Sequence, residues 1–154
     1  MPVKSVRSPD LIKLAIAEKS IAVKNAANEL SARIQCFEAW LGKLPGRVET
    51  YCYETHPDAV GMDPLELGLR LHREGKKWVL SYTNYHPSLE PDGIDWTPLS
   101  EAPLQLKLAA VEMFPNLLAA IENSQEKLAA RINMVCTTFD SFASKVGMSG
   151  KEGE

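Results

Sequence analysis

The side chains best suited to chemistry lie in the middle third of the chain. His56, His72 and His86 are its three histidines, and Asp58, Asp63, Asp92 and Asp95 share the loop-forming stretches around two of them. His56, Asp58 and His86 together could supply the donors of a metal site or of a small enzyme's centre. No ligand spacing accompanies them, and zinc ligands normally come as spacing signatures or compact clusters. No metal and no cofactor is therefore expected. Covalent catalysis by a thiol needs a cysteine and an imidazole brought together on rigid elements. Cys52 with His72 or His86 is the pairing the sequence offers. Cys52 alternates in phase with Val48 and Thr50, a pattern that predicts a buried structural thiol. The chain has no phosphate-binding glycine loop, no dinucleotide fingerprint, no HExxH and no GxSxG. A non-enzymatic role is expected, with no catalytic residue assigned.

Aromatic residues concentrate in the same region. Tyr51, Tyr53, Trp78, Tyr82, Tyr85 and Trp96, with Glu49 and His86 beside them, form the candidate binding surface. Glu49, Glu54 and Asp58 make its surroundings acidic, which favours a partner protein or a small cationic ligand over an anion.

Charge supports that reading. The chain of 154 residues carries a net charge of -3. Residues 1–47 are net +4, residues 48–116 are net -6, and the rest is net -1. The basic residues of the first segment (Lys4, Arg7, Lys13, Lys19, Lys24, Arg33, Lys43 and Arg47) are interleaved with Asp10, Glu18, Glu29 and Glu38 and carry no recognition motif. A solvated helix face is the simpler account, and nucleic acid is a disfavoured partner. Cys36, Cys52 and Cys136 are odd in number and far apart. With no signal peptide and no long uninterrupted apolar run, a cytoplasmic protein without a membrane partner is expected.

Two long helices must position this middle region. From Phe114, apolar residues recur at Leu118, Ile121, Leu128, Ile132, Val135, Phe139, Phe142 and Val146, in alternating steps of four and three with Gln125 in phase. Such a helix is roughly 48 Å long. An earlier one begins at Ser8-Pro9-Asp10, a capping serine, a proline for the first turn and an acid. It carries Ile16, Val23, Ala27, Leu30, Ile34, Phe37 and Leu41 in phase and closes at Gly42.

Between the helices the period changes to two. Arg47–Glu54 reads as a strand. Leu67, Leu69 and Leu71 then face Trp78, Leu80 and Tyr82 across a turn placed at Glu74-Gly75, which would oppose Leu71 to Trp78 and Leu69 to Leu80. The stretches 55–64 and 84–99 read as loops. Ser100 should cap a short helix, and Pro115 should kink or break the chain before the long one.

The fold expected is α+β: two long antiparallel-packed helices flanking a three-stranded antiparallel sheet, plus a short helix, in the order α-β-β-β-α-α. One domain spans 1–154, with flexible termini at 1–7 and 147–154. A long helix occupies 8–42, a β-rich insert 47–99, and a short then a long helix 100–146. Helix faces this wide leave apolar surface over in a monomer, so a homodimer through the long helices is expected.

Overall fold

The computed structural model describes residues 8–56, 65–85 and 95–148. The termini before 8 and after 148, and residues 57–64 and 86–94 of the loops expected over 55–64 and 84–99, lie outside the described residues, while 55–56, 84–85 and 97–98 are strand. The architecture is α+β. Helix α1 (Pro9–Lys43) leads to strands β1 (Thr50–His56), β2 (Leu65–Glu74), β3 (Lys77–Tyr85) and β4 (Thr97–Pro98). A 3-10 turn (Leu99–Glu101) then precedes α2 (Leu104–Lys145). The strands form one antiparallel meander in sequence order, so the short β4 is a fourth strand taken from a stretch expected to be loop.

Helix α1 starts as its sequence dictates. Ser8 Oγ accepts from the amide of Leu11 at 3.3 Å, and Pro9 fills the first helical position. It ends two residues later than Gly42 suggests. Gly42 stays helical against Trp78, and the reversal is made at Gly46, whose φ of 65° suits glycine.

The β2–β3 turn is Gly75-Lys76, not Glu74-Gly75. Glu74 pairs with Lys77, Leu71 with Leu80 and Leu69 with Tyr82. Gly75 has a φ of 60° and Lys76 an ordinary negative one, the II′ arrangement with glycine first. The register expected from a Glu74-Gly75 turn would have required positive φ at Glu74. The shift is two residues, so every side chain keeps its face.

The expected short helix and long helix are one. Helix α2 runs without interruption through Pro115 for 42 residues. Proline removes an amide donor and crowds the preceding turn. Here, however, Ala110, Met113, Leu117 and Ile121 are buried on both sides of it, while Pro115 itself is exposed. Burial of that stripe outweighs the local defect. Ser100 sits in the 3-10 turn, and Pro103 precedes α2 in the cap position.

The leucine face of the sheet (Leu67, Leu69, Leu71, Leu80) packs on Ile34 and Leu41 of α1 and on Leu106, Ala110, Met113 and Leu117 of α2. Glu38 adds a polar link, its Oε2 accepting from the amide of Leu80 at 2.8 Å. That carboxylate satisfies β3 just beyond the two-residue reach of β4.

The helices pair in parallel, not antiparallel. Lys107 Nζ donates to Ser31 Oγ, Phe37 stacks on Phe114 at 4.2 Å, and Gln125 Nε2 donates to the carbonyl of Gly46 at 3.2 Å. Position advances together along both chains. Because the offset is large, roughly the first nineteen residues of α1 run beyond the start of α2, and roughly the last twenty of α2 run beyond the Pro45–Gly46 turn that follows α1. Each overhang is roughly 30 Å long at 1.5 Å per residue.

Candidate interaction surface

The face of the sheet turned away from the helices carries a compact aromatic and polar cluster. Alternation along β1 sends Tyr51 and Tyr53 to this face and Thr50 and Cys52 to the helices. Pairing sets Tyr51 opposite Arg70 and Tyr53 opposite Gly68. Tyr53 can lie across β2 only because position 68 has no side chain. A Cβ there would come 2.7 Å from Tyr53 and 2.8 Å from Thr83. Tyr51 and Tyr53 meet edge to face at 5.8 Å, and Trp96, just before β4, lies 6.2 Å from Tyr53. The guanidinium of Arg70 rests 4.7 Å from the Trp96 ring centre. Its Nε is buried without a hydrogen-bond partner among the described residues.

Under the aromatics lies a buried polar layer. His72 Nε2 is 2.8 Å from Ser81 Oγ and 3.4 Å from Arg70 Nη2. A guanidinium only donates, so the contact with Arg70 requires Nε2 to accept, which is the neutral imidazole. Burial first, and the charge of Arg70 second, lower the His72 pKa below its ordinary 6.5, against an opposing pull from Glu74 and Glu49. The folded protein thus binds a proton here less readily than the unfolded chain does. Stability linked to His72 is fully present above pH 6.5 and is lost as pH falls through the lowered folded-state value. Urea midpoints recorded between about pH 5 and 7.5 should fall on the acid side, and His72→Gln should flatten that fall.

The sequence-derived surface divides between two faces. Tyr51, Tyr53 and Trp96 come together on the outer face. Glu49 stands at its rim, with Oε1 accepting from the amide of Arg73 at 3.5 Å. Trp78 and Tyr82 are half-buried with the leucines on the helix side, where Arg47 lies over Trp78 at 5.5 Å. Tyr85 ends β3 opposite Glu66. His86 lies outside the described residues, as does Asp58, so of the His56, Asp58 and His86 set only the backbone of His56, at the end of β1, is placed. Among the described residues no group of three or more His, Cys, Asp or Glu could hold a metal ion.

Arg70 is the member that sequence reasoning left out. Alternation with Leu69 and Leu71 puts it on the face opposite the leucines. Only the β1–β2 register shows that it centres the tyrosines. It also changes the expected electrostatics, because the position a small cation would take over Trp96 is held by the protein's own guanidinium.

The pairing of Cys52 with His72 fails on geometry, and His86, the other imidazole expected for it, lies outside the described residues. Cys52 pairs with Leu69 on the helix side, whereas His72 points to the outer side, so the sheet separates them. Burial, reinforced by the charge of Glu54 and opposed by a hydrogen bond from the backbone at Leu69, pushes the Cys52 pKa up to about 11. It is a protonated thiol, not a nucleophile at neutral pH.

The overhanging helices are the second uncovered surface. On α1, Leu11, Leu14, Ile16, Ile21 and Val23 are each 57–61% exposed. On α2, Ile132, Val135, Phe139, Phe142 and Val146 are each 46–58% exposed, and beyond Ile121 only Ala143 is buried. By length and composition α2 contains a stretch that could cross a membrane, a property shared with core helices of soluble proteins, and 33% of that stretch is buried within this chain. Compared with known proteins, the chain matches no family model, no curated protein and no solved structure.

Proposed function

We propose that this chain is a non-enzymatic, homo-oligomeric interaction protein that holds a small aromatic sheet face outward for a partner protein. The observation that carries this reading is the state of the two helical overhangs. Their apolar seams continue the core pattern yet remain largely exposed among the described residues. Exposed apolar side chains amount to on the order of 500 Å² on each overhang, so each protomer carries two separate patches of the roughly 300–600 Å² that is the largest on a typical monomer. Self-association removes that surface from water. The outer face, with Tyr51, Tyr53, Trp96 and Arg70, has the residue types that dominate protein–protein contact energies, and it stays clear of the helices. A cytoplasmic setting accords with this reading, since the α2 seam then has another copy to bury against. Hydrogen exchange measured across protein concentrations tests it. Amides of 9–30 and 126–145 should slow as concentration rises. Exchange in both segments that is fast and independent of concentration would refute self-association.

A further inference from the structure

We propose that the protein forms a closed, arm-exchanged dimer in which the α1 overhang of each copy lies antiparallel along the α2 overhang of the other. This rests on the homo-oligomeric reading above and specifies its geometry. The overhangs leave the body at opposite ends, because α1 and α2 run parallel with a large offset. Pairing α2 with α2 about a two-fold axis would cover one overhang and leave Ile16, Ile21 and Val23 of α1 in water. Pairing α1 with α1 as well closes within two copies only about a two-fold axis parallel to the helices, with the two bodies side by side and every arm pair running parallel. Exchange of α1 for α2, about a two-fold axis perpendicular to the helices, buries both seams within two copies and also sets the helix dipoles of each arm pair antiparallel, which the parallel arrangement does not.

The dimensions agree. The overhangs have matching lengths of roughly 30 Å. The uncovered apolar area, on the order of 1,000 Å² per copy, exceeds the roughly 800 Å² per partner of a standard stable interface. The two-fold axis would then pass beside the central body. There Trp40 and Leu108, 50% and 51% exposed on the helix sides turned from the sheet, continue the same apolar surface. Where α1 ends, Pro45, Gly46, Gln125, Leu128 and Ile132 line an open hollow of about 320 Å³ that can receive side chains from the arriving helix. Neither overhang carries a dominant charge: α1 has Lys13, Lys19 and Lys24 against Asp10, Glu18 and Glu29, and α2 alternates both signs likewise. A second copy is therefore not repelled.

Within one chain, Lys19 and Lys127 are roughly 45 Å apart along the helix axes, out of reach of a short amine crosslinker. Crosslinking a mixture of isotopically light and heavy protein should join Lys13 or Lys19 to Lys127 or Lys145, in mixed-isotope form. Crosslinks confined to α1–α1 and α2–α2 would overturn the exchange while leaving a homo-oligomer standing. A monomeric wild type, whether free or bound to phosphatidylcholine vesicles, would overturn both readings. Sedimentation of charged variants supplies the complement. Ile16→Glu with Ile21→Glu, and Val135→Glu with Phe139→Glu, should each be monomeric. An equimolar mixture of the two should recover a heterodimer through its one intact α1–α2 contact. A dimer that survives the α1 substitutions alone would contradict the exchange.

Discussion

Leu69→Ala should destabilise the protein by about 3–5 kcal/mol, the range for deleting a fully enclosed leucine whose surroundings cannot collapse. Leu69 has no exposed surface and sits in the middle of the sheet, between Cys52 on β1 and Tyr82 on β3. The core beneath it is shared by both helices, through Leu41 on one side and Met113 and Leu117 on the other. Strands flank the site laterally and helices close it from below, so the lost methyl groups leave a void. Urea denaturation would show the loss as a lower midpoint at unchanged slope. A cost below about 1 kcal/mol would mean that the sheet and helices do not share one close-packed core.

Gly68→Ala should cost about 1–3 kcal/mol, a large effect for one methyl group, and should also disturb the outer surface. The added carbon would meet Tyr53 at 2.7 Å and Thr83 at 2.8 Å, and Thr83 is buried on a central strand and cannot retreat. Tyr53 would have to lift from β2, breaking its contacts with Tyr51 and Trp96. A combined readout separates this from ordinary strand propensity, for which alanine is no worse than glycine. The variant should lose stability and alter the near-ultraviolet dichroism of the aromatic cluster together. Unchanged dichroism with unchanged stability would show that the Tyr53 ring does not lie over Gly68.

The layers of this fold were legible because its periods are clean. Alternating leucines in β2 and β3 and the three-four spacing in α1 and α2 assign each face without any tertiary information. Three features were not legible, each for a physical reason. Gly75 fixes a turn but not its own place within it, and the II′ arrangement moves the register by two residues while leaving every face unchanged. Pro115 reads as a break in isolation, yet the burial of Met113 and Leu117 around it decides the matter. The relative direction of α1 and α2, which pack on the same face of the sheet, depends on the path of the strands that connect them, and no local pattern encodes that. The candidate surface was half legible. Tyr51 and Tyr53 follow from alternation, but joining them to Arg70 and separating them from Trp78 and Tyr82 requires the pairing of β1 with β2.

The central claim is that the helical overhangs are an interface between copies. Native mass spectrometry of the full chain at low micromolar concentration tests it most directly. A species of twice 17.0 kDa, unchanged by EDTA, is expected. A sole species of 17.0 kDa would contradict it.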